Sequence, residues 1–354
     1  MKIKKSYLFG KIKIDAYICI IFIQKMRVLN RLILYIYLFV ALTLPTYAQI
    51  NTEQVLTVGR NALYFEDYVL SIQYFNRIIA AKPYLAEPYF YRAVAKLNLE
   101  DYKGAEDDCT LAIERNPFKI DAYNLRGVAR QTLQKFELAI ADYNKALAIM
   151  PENQSVLINK AVCEEALKQY EASEATYSTL MKMFPKFDRA YIGRAHLYLS
   201  KGDTIAALSD INKSLEISKN NSNAYVMRAE IEMKSKQDFP AAIKDMDEAI
   251  KLEPRFAGYF LNRAFMKYRN DDYFGAMSDY DYALDLEPTN VIGHFNRGLL
   301  LAEVSENNKA IRDFTYVLSS NPNHFLARYN RALLYSEIGD YRNAIKDYDI
   351  VLEK

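Results

Sequence analysis

From residue 52 onward, small, aromatic and large apolar side chains return at the same places in a frame of 34 residues. Counting repeats from residues 52, 86, 120, 154, 188, 222, 257, 291 and 325, position 8 is Gly or Ala in every one, from Gly59 and Ala93 to Gly298 and Ala332. Position 20 is Ala or Ser throughout, from Ser71 to Ala344. Position 17 is aromatic in seven repeats, and position 24 is large in all but one, where Cys109 stands. Apolar positions at 17, 20, 24 and 27 follow the i, i+3, i+4 spacing of an amphipathic helix. Two small residues twelve apart, one on each of two helices, let those helices approach where a Leu would hold them apart. Seven prolines (Pro83, Pro117, Pro151, Pro185, Pro254, Pro288, Pro322) fall 34 residues apart, or 69 where Lys219 takes the expected place. A proline cannot continue a helix, so it closes each repeat.

Two polar columns vary together. Position 7 is Arg92, Arg126, Arg194, Arg228, Arg263, Arg297 and Arg331; position 23 in the same seven repeats is Asp108, Asp142, Asp210, Asp245, Asp279, Asp313 and Asp347. The two repeats without the Arg also lack the Asp, having Val58 with Tyr74 and Lys160 with Thr176. An unpaired buried charge costs several kcal/mol, so joint presence and joint absence predict that the side chains meet between helices. The competing reading is a ring of arginines facing a ligand. We assign these columns to the scaffold.

With repeat three reading Asp121-Ala-Tyr-Asn-Leu-Arg-Gly127, then Phe136, Ala139, Asp142-Tyr143, Ala146 and Pro151, the chain resembles the tetratricopeptide repeat family. The resemblance runs over residues 52–354. Its departures are the absence of Trp at position 4, where Tyr89, Tyr123, Tyr191 and Tyr225 stand, a degenerate first repeat, and the lost proline at Lys219. The resemblance implies an all-α fold, a right-handed α-solenoid of antiparallel helix pairs with a concave groove lined by each first helix. It also implies that positions 2, 5, 6, 9, 12 and 13 face that groove.

Among those positions, Asn159, Asn262, Asn296 and Asn330 occupy position 6. An Asn amide both donates and accepts, so a ladder of them can grip an extended backbone regardless of its sequence; the alternative is that they are merely solvated. Phe90, Tyr91, Phe265, Tyr268, Phe295 and Tyr329 make the same face apolar toward both ends of the array. Apolar patches of this kind mark a surface for a partner, unless curvature of the stack buries them. Bases in these positions (Arg60, Arg189, Lys234, Arg269) are scattered, which argues against an acidic-tail ligand. The expected partner is a protein or an extended peptide. The alternative is a structural subunit for envelope assembly that uses the convex face and the C-terminal end.

Composition narrows the chemistry. Three His and three Cys are too few for a disulfide framework or a metal centre, and no cofactor is expected. His196, His294 and His324 lie in different repeats with no Ser, Cys or carboxylate near them in a recognisable catalytic arrangement, and no glycine-rich phosphate loop is present, so the chain does not read as an enzyme. Cys109 and Cys163 sit two repeats apart at different positions and read as buried thiols.

The formal charge of +2 is misleading. Residues 1–48 hold eight Lys and Arg and one acid, leaving 38 bases against 43 acids in the remainder, a net near −5. Nucleic-acid binding therefore loses its electrostatic support. Arg27 and Arg31 after Met26, an uncharged apolar run from Leu32 to Leu44, and Thr46-Tyr47-Ala48 before Gln49 have the order of a secretory signal peptide starting at Met26 and cleaved after Ala48. The run is 13 residues, shorter than the roughly 20 a spanning helix needs. The expectation is a protein exported to the periplasm or secreted from a bacterial cell, with an uncleaved leader as the only membrane link.

Two irregularities remain. The ninth repeat stops at Lys354, leaving Ile345, Tyr348, Val351 and Leu352 without a capping helix, which makes self-association there an expectation. Lys219-Asn220-Asn221-Ser222-Asn223 replaces a proline turn and the sixth repeat carries one extra residue near Lys236-Gln237-Asp238, predicting a seam over 219–240.

Overall fold

A computed structural model of the chain describes residues 51–352, together with helical positions 25, 26, 31 and 33–35. The signal-peptide reading and its cleavage point lie outside the described residues. Among the described residues no helix is long and apolar enough to cross a membrane. The chain divides into two compact bodies, one ending at Pro117 and one beginning at Phe118.

The first body holds α1 (Thr52–Tyr64), α2 (Tyr68–Ala81), α3 (Ala86–Asn98) and α4 (Tyr102–Arg115). The second begins with α5 (Ile120–Thr132), α6 (Phe136–Ile149), α7 (Gln154–Ala166), α8 (Tyr170–Met183), α9 (Asp188–Ser200), α10 (Thr204–Ile217) and α11 (Ser222–Ile231). It continues with α12 (Phe239–Leu252), α13 (Ala257–Arg269), α14 (Tyr273–Leu286), α15 (Val291–Glu303), α16 (Asn307–Ser320), α17 (Phe325–Glu337) and α18 (Tyr341–Leu352). The architecture is an all-α solenoid of helix pairs, and each repeat begins within one residue of an odd-numbered helix.

Local chemistry explains the hairpins. Position 15 has a left-handed backbone in every repeat, at Glu66, Glu100, Gln134, Lys168, Gly202, Gln237, Asp271, Ser305 and Gly339. Only two of these are glycine, so seven turns hold a side chain in a conformation that disfavours it. The next residue caps the second helix. Asp67, Asp101, Asp203, Asp238, Asp272 and Asp340 each accept a backbone N–H from three residues on, satisfying a donor the helix cannot use itself.

Within each pair, positions 8, 20, 24 and 27 form the core. Ala139, Tyr143 and Ala146 are fully buried in repeat three, as are Ala310, Phe314 and Val317 in repeat eight. A methyl added at Gly127 would stand 2.4 Å from the Tyr143 ring, so this close approach needs glycine. Cys109 and Cys163 are free and buried, and burial pushes the Cys163 thiol up to about 12.

The Arg column joins three helices. In all seven repeats Nε and Nη2 donate side by side to the two carboxylate oxygens of the position-23 Asp at 2.6–3.0 Å. The Asp residues are 2–5% exposed. In six repeats Nη1 donates to position 25 of the preceding repeat: Asn76, Ser178, Asn212, Asp247, Asp281 or Thr315, at 2.6–3.3 Å. Repeat four keeps a polar link by other means, with Thr176 donating to Glu164 at 2.8 Å and Lys160 3.6 Å from the same carboxylate.

Repeat six departs from this regularity. Its extra residue is taken up in a π-helical turn, Glu232–Lys236, directly after α11. That displaces the left-handed residue to Gln237. At the junction without a proline, the Asn221 side chain caps α11 and also donates to Asp188 on α9 at 3.1 Å. Position 11, which in repeats two, three and seven adds a second cation to the Asp (Lys96, Arg130 and Lys267, each at 2.8 Å), is Glu232 in repeat six. Its Oε2 is buried without a partner. Burial first, and then the neighbouring Asp245, hold its carboxyl above the usual Glu range, against the opposing pull of Arg228 and Lys236.

Two outcomes follow from this packing. Arg194→Ala leaves Asp210, which has no second cation among the described residues, buried without its fork and should cost about 3–5 kcal/mol in urea unfolding, whereas Arg194→Met with Asp210→Leu should recover most of that loss. Glu232 binds its proton more tightly folded than unfolded, so its contribution is largest in acid and is lost as pH rises through its raised value. Glu232→Gln should therefore raise the melting temperature at pH 7–8 by roughly 1–2 °C, allowing for partial exposure, and the gain should vanish near pH 4.

Candidate functional site

The first helices of repeats six to eight, α11, α13 and α15, enclose a hollow of about 580 Å³. Its walls are Val226, Met233, Phe256, Tyr259 and Phe265, and Asn262 and Asn296 both line it. Phe265 is 36% exposed, an apolar surface held open to solvent. Neither Asn262 nor Asn296 makes a side-chain hydrogen bond among the described residues, so both amides face the hollow with donors and acceptors unused. They stand one repeat apart on adjacent first helices.

The other residues assigned to this face behave differently. Asn159 donates to Asn124 at 3.2 Å. Asn330 donates to the Leu326 carbonyl of its own helix at 2.8 Å. The position-6 asparagines are therefore not one continuous ladder. Tyr268 donates to Glu303, which also accepts from Tyr273 at 3.2 Å; that bond pushes the Tyr268 hydroxyl up to about 12. Phe295 is turned into the stack against Phe314 and His324, with ring centres 5.9 and 4.8 Å away. Tyr329 is 41% exposed and parallel to Phe325. In the first body, Tyr91 stacks on Phe75 at 5.8 Å, Phe90 meets it edge-on at 5.3 Å, and Arg60 lies over its ring.

A second hollow, of about 570 Å³, lies on the first helices of repeats four to six. Here His196 Nδ1 is 2.9 Å from Glu165 Oε1, and Ser200 donates to the same oxygen at 2.7 Å. His196 and Ser200 lie one turn apart on α9, and Glu165 reaches them from α7, 31 and 35 residues away in sequence. The serine bonds the carboxylate and not the imidazole, so the link that would activate a nucleophile is missing. His294 lies between Asp313 and the Pro288 carbonyl, at 2.8 and 3.0 Å, and His324 caps α17. Among the described residues, no group of three or more His, Cys, Asp and Glu side chains is placed to hold a metal ion.

A third hollow, of about 630 Å³, involves α14, α15 and α16, away from the groove positions. Several of its charges are already engaged: Arg297 binds Asp281 and Asp313, and Lys309 stands 3.3 Å from Glu306. We therefore place the candidate site on the first-helix face.

Three segments match family models described as Tetratricopeptide repeat: residues 120–153, 188–221 and 295–354. No curated protein matches the chain. Among solved structures, a tetratricopeptide repeat protein from Parabacteroides merdae is 21% identical with a TM-score of 0.51, over 70% of this chain and 98% of that one. The C-terminal part of a TPR repeat-containing protein from Cytophaga hutchinsonii is 18% identical with a TM-score of 0.52, over 66% and 96%. The Cut9–Hcn1 hetero-tetramer of APC/C matches at 15% identity and a TM-score of 0.53, over 75% of this chain and 52% of that one. The chain is a tetratricopeptide repeat protein, built as a protein-interaction scaffold.

Proposed function

We propose that this scaffold grips an extended segment of a partner protein along the first-helix face of repeats six to eight, and that it does so after export from the cell. The observation that carries the reading is the pair of unpartnered amides, Asn262 and Asn296, in one apolar hollow beside Phe265. Spaced by one repeat on neighbouring helices, two such amides can each pair with a peptide group of an extended guest, while Phe265, Val226 and Met233 cover its side chains. This binding needs no catalytic group, and we read the chain as non-enzymatic.

A displayed library of random twelve-residue peptides, selected on the purified chain, tests this reading. Selected peptides should bind the Asn262→Ala, Asn296→Ala double variant at least tenfold more weakly, while Arg312→Ala, in the hollow away from this face, should leave affinity unchanged. Equal binding by the double variant would overturn the reading. Export rests on the leader alone: a chain started at Met26 in a secreting bacterial host should yield a mature N-terminus at Gln49 by peptide sequencing.

A further inference from the structure

The hollow on repeats four to six contains an almost fully buried side chain whose polar group the fold leaves unused. Tyr177, on α8, is 1% exposed and its ring lines the hollow, yet its hydroxyl makes no hydrogen bond among the described residues. Its counterpart one repeat earlier, Tyr143, donates to Gln131 at 3.1 Å. In repeat four the residue equivalent to Gln131 is Glu165, and its Oε1 is engaged by His196 and Ser200 instead.

The hydroxyl reaches the groove because of a gap in the opposite helix. Position 6 carries a side chain in every repeat but the fifth, where it is Gly193. A methyl added at Gly193 would stand 2.6 Å from Tyr177 Cε1 and 2.7 Å from its oxygen, so the phenol occupies the place a position-6 side chain would need. Burial holds the hydroxyl well above its ordinary pKa, so it stays a proton donor throughout the physiological range. Around it, Val162, Ile192 and Met227 give aliphatic walls. The hydroxyl has no acceptor within the fold, and an occupant of the hollow that supplies one brings it attached to an apolar body.

We propose that the notch between Tyr177 and Gly193 is a peptide subsite, in which a main-chain carbonyl of the guest accepts the Tyr177 hydroxyl proton and the adjoining aliphatic side chain lies between Val162, Ile192 and Met227. This rests on the groove reading above and extends it by two repeats. The same helix, α11, lines both hollows, through Met227 on this side and Val226 and Glu230 on the other. An extended chain therefore passes from one to the other along a continuous wall.

The test uses the library-selected peptides with the full chain and Tyr177→Phe, which removes one oxygen and keeps the ring. Because that oxygen makes no bond within the fold, the variant should keep its melting temperature to within about 1 °C. Its affinity should fall about five- to tenfold. Single amide-to-ester replacements along the peptide weaken one carbonyl acceptor at a time. One of them should weaken binding to the wild type by a similar factor and leave binding to Tyr177→Phe nearly unchanged, which is the signature of a shared bond. If Tyr177→Phe binds as tightly as the wild type while the Asn262, Asn296 variant does not, the notch assignment fails and the groove reading stands. If every ester weakens both proteins equally, Tyr177 is not the donor and the assignment also fails. A library that yields no binder overturns both readings.

Discussion

The stack is organised by the geometry of one side chain. A guanidinium has donors on two edges. Here Nε and Nη2 are spent on a buried Asp in the second helix of the same repeat, and Nη1 on position 25 of the repeat before. One residue thereby fixes its own helix against two others, within and between repeats. A lysine could neutralise the Asp but could not reach both partners in fixed directions. Desolvating seven carboxylates is expensive, and the bidentate geometry offsets that cost. What it secures is register, because a helix slid by one residue would lose every fork together. Packing at positions 8 and 20 brings the helices close, and the forks decide which way they face.

Much of this was legible because repetition acts as an internal control. The small columns, the closing prolines and the joint presence of Arg with Asp could be read from a single chain, and they define the helix pairs that the structure contains. The third bond of the Arg was missed, although its signal was present: position 25 is Asn, Thr, Ser or Asp in all nine repeats. The left-handed turns were hidden for a different reason. Glycine marks only Gly202 and Gly339, and at the other seven positions the conformation is imposed by the helices on either side. The way repeat four replaces its missing ion pair was also invisible, since Glu164 does from position 11 what Asp does elsewhere from position 23.

The candidate site was less legible than the scaffold, and the reason is physical. Scaffold columns repeat because every interface has the same shape, whereas groove positions are free to differ. Family position alone put Asn159, Asn262, Asn296 and Asn330 in one class. Whether an amide is available depends on what lies beside it, and Asn124 and the Leu326 carbonyl occupy two of the four. Phe295 carries the same lesson, since its neighbour His324 turns it into the stack. Tyr177 is the reverse case: position 24 is a core column, and it bears on the groove only because the facing residue is Gly193.

Repeat six ties these observations together. Its first helix is the wall shared by the two hollows, and it runs directly into the π-turn at Glu232–Lys236. There the second cation found on the Asp in three other repeats gives way to an unpartnered carboxylate. The Nη1 bonds of Arg228 to Asn212 and of Arg263 to Asp247 hold the repeat to its neighbours on both sides, so any looseness is confined between them. A guest spanning both hollows touches α11 on its two sides, and its binding is linked thermodynamically to the order of that helix and the turn after it. The irregular repeat is thus placed where a guest would bear on it, and the regular ones are placed to keep the consequences local.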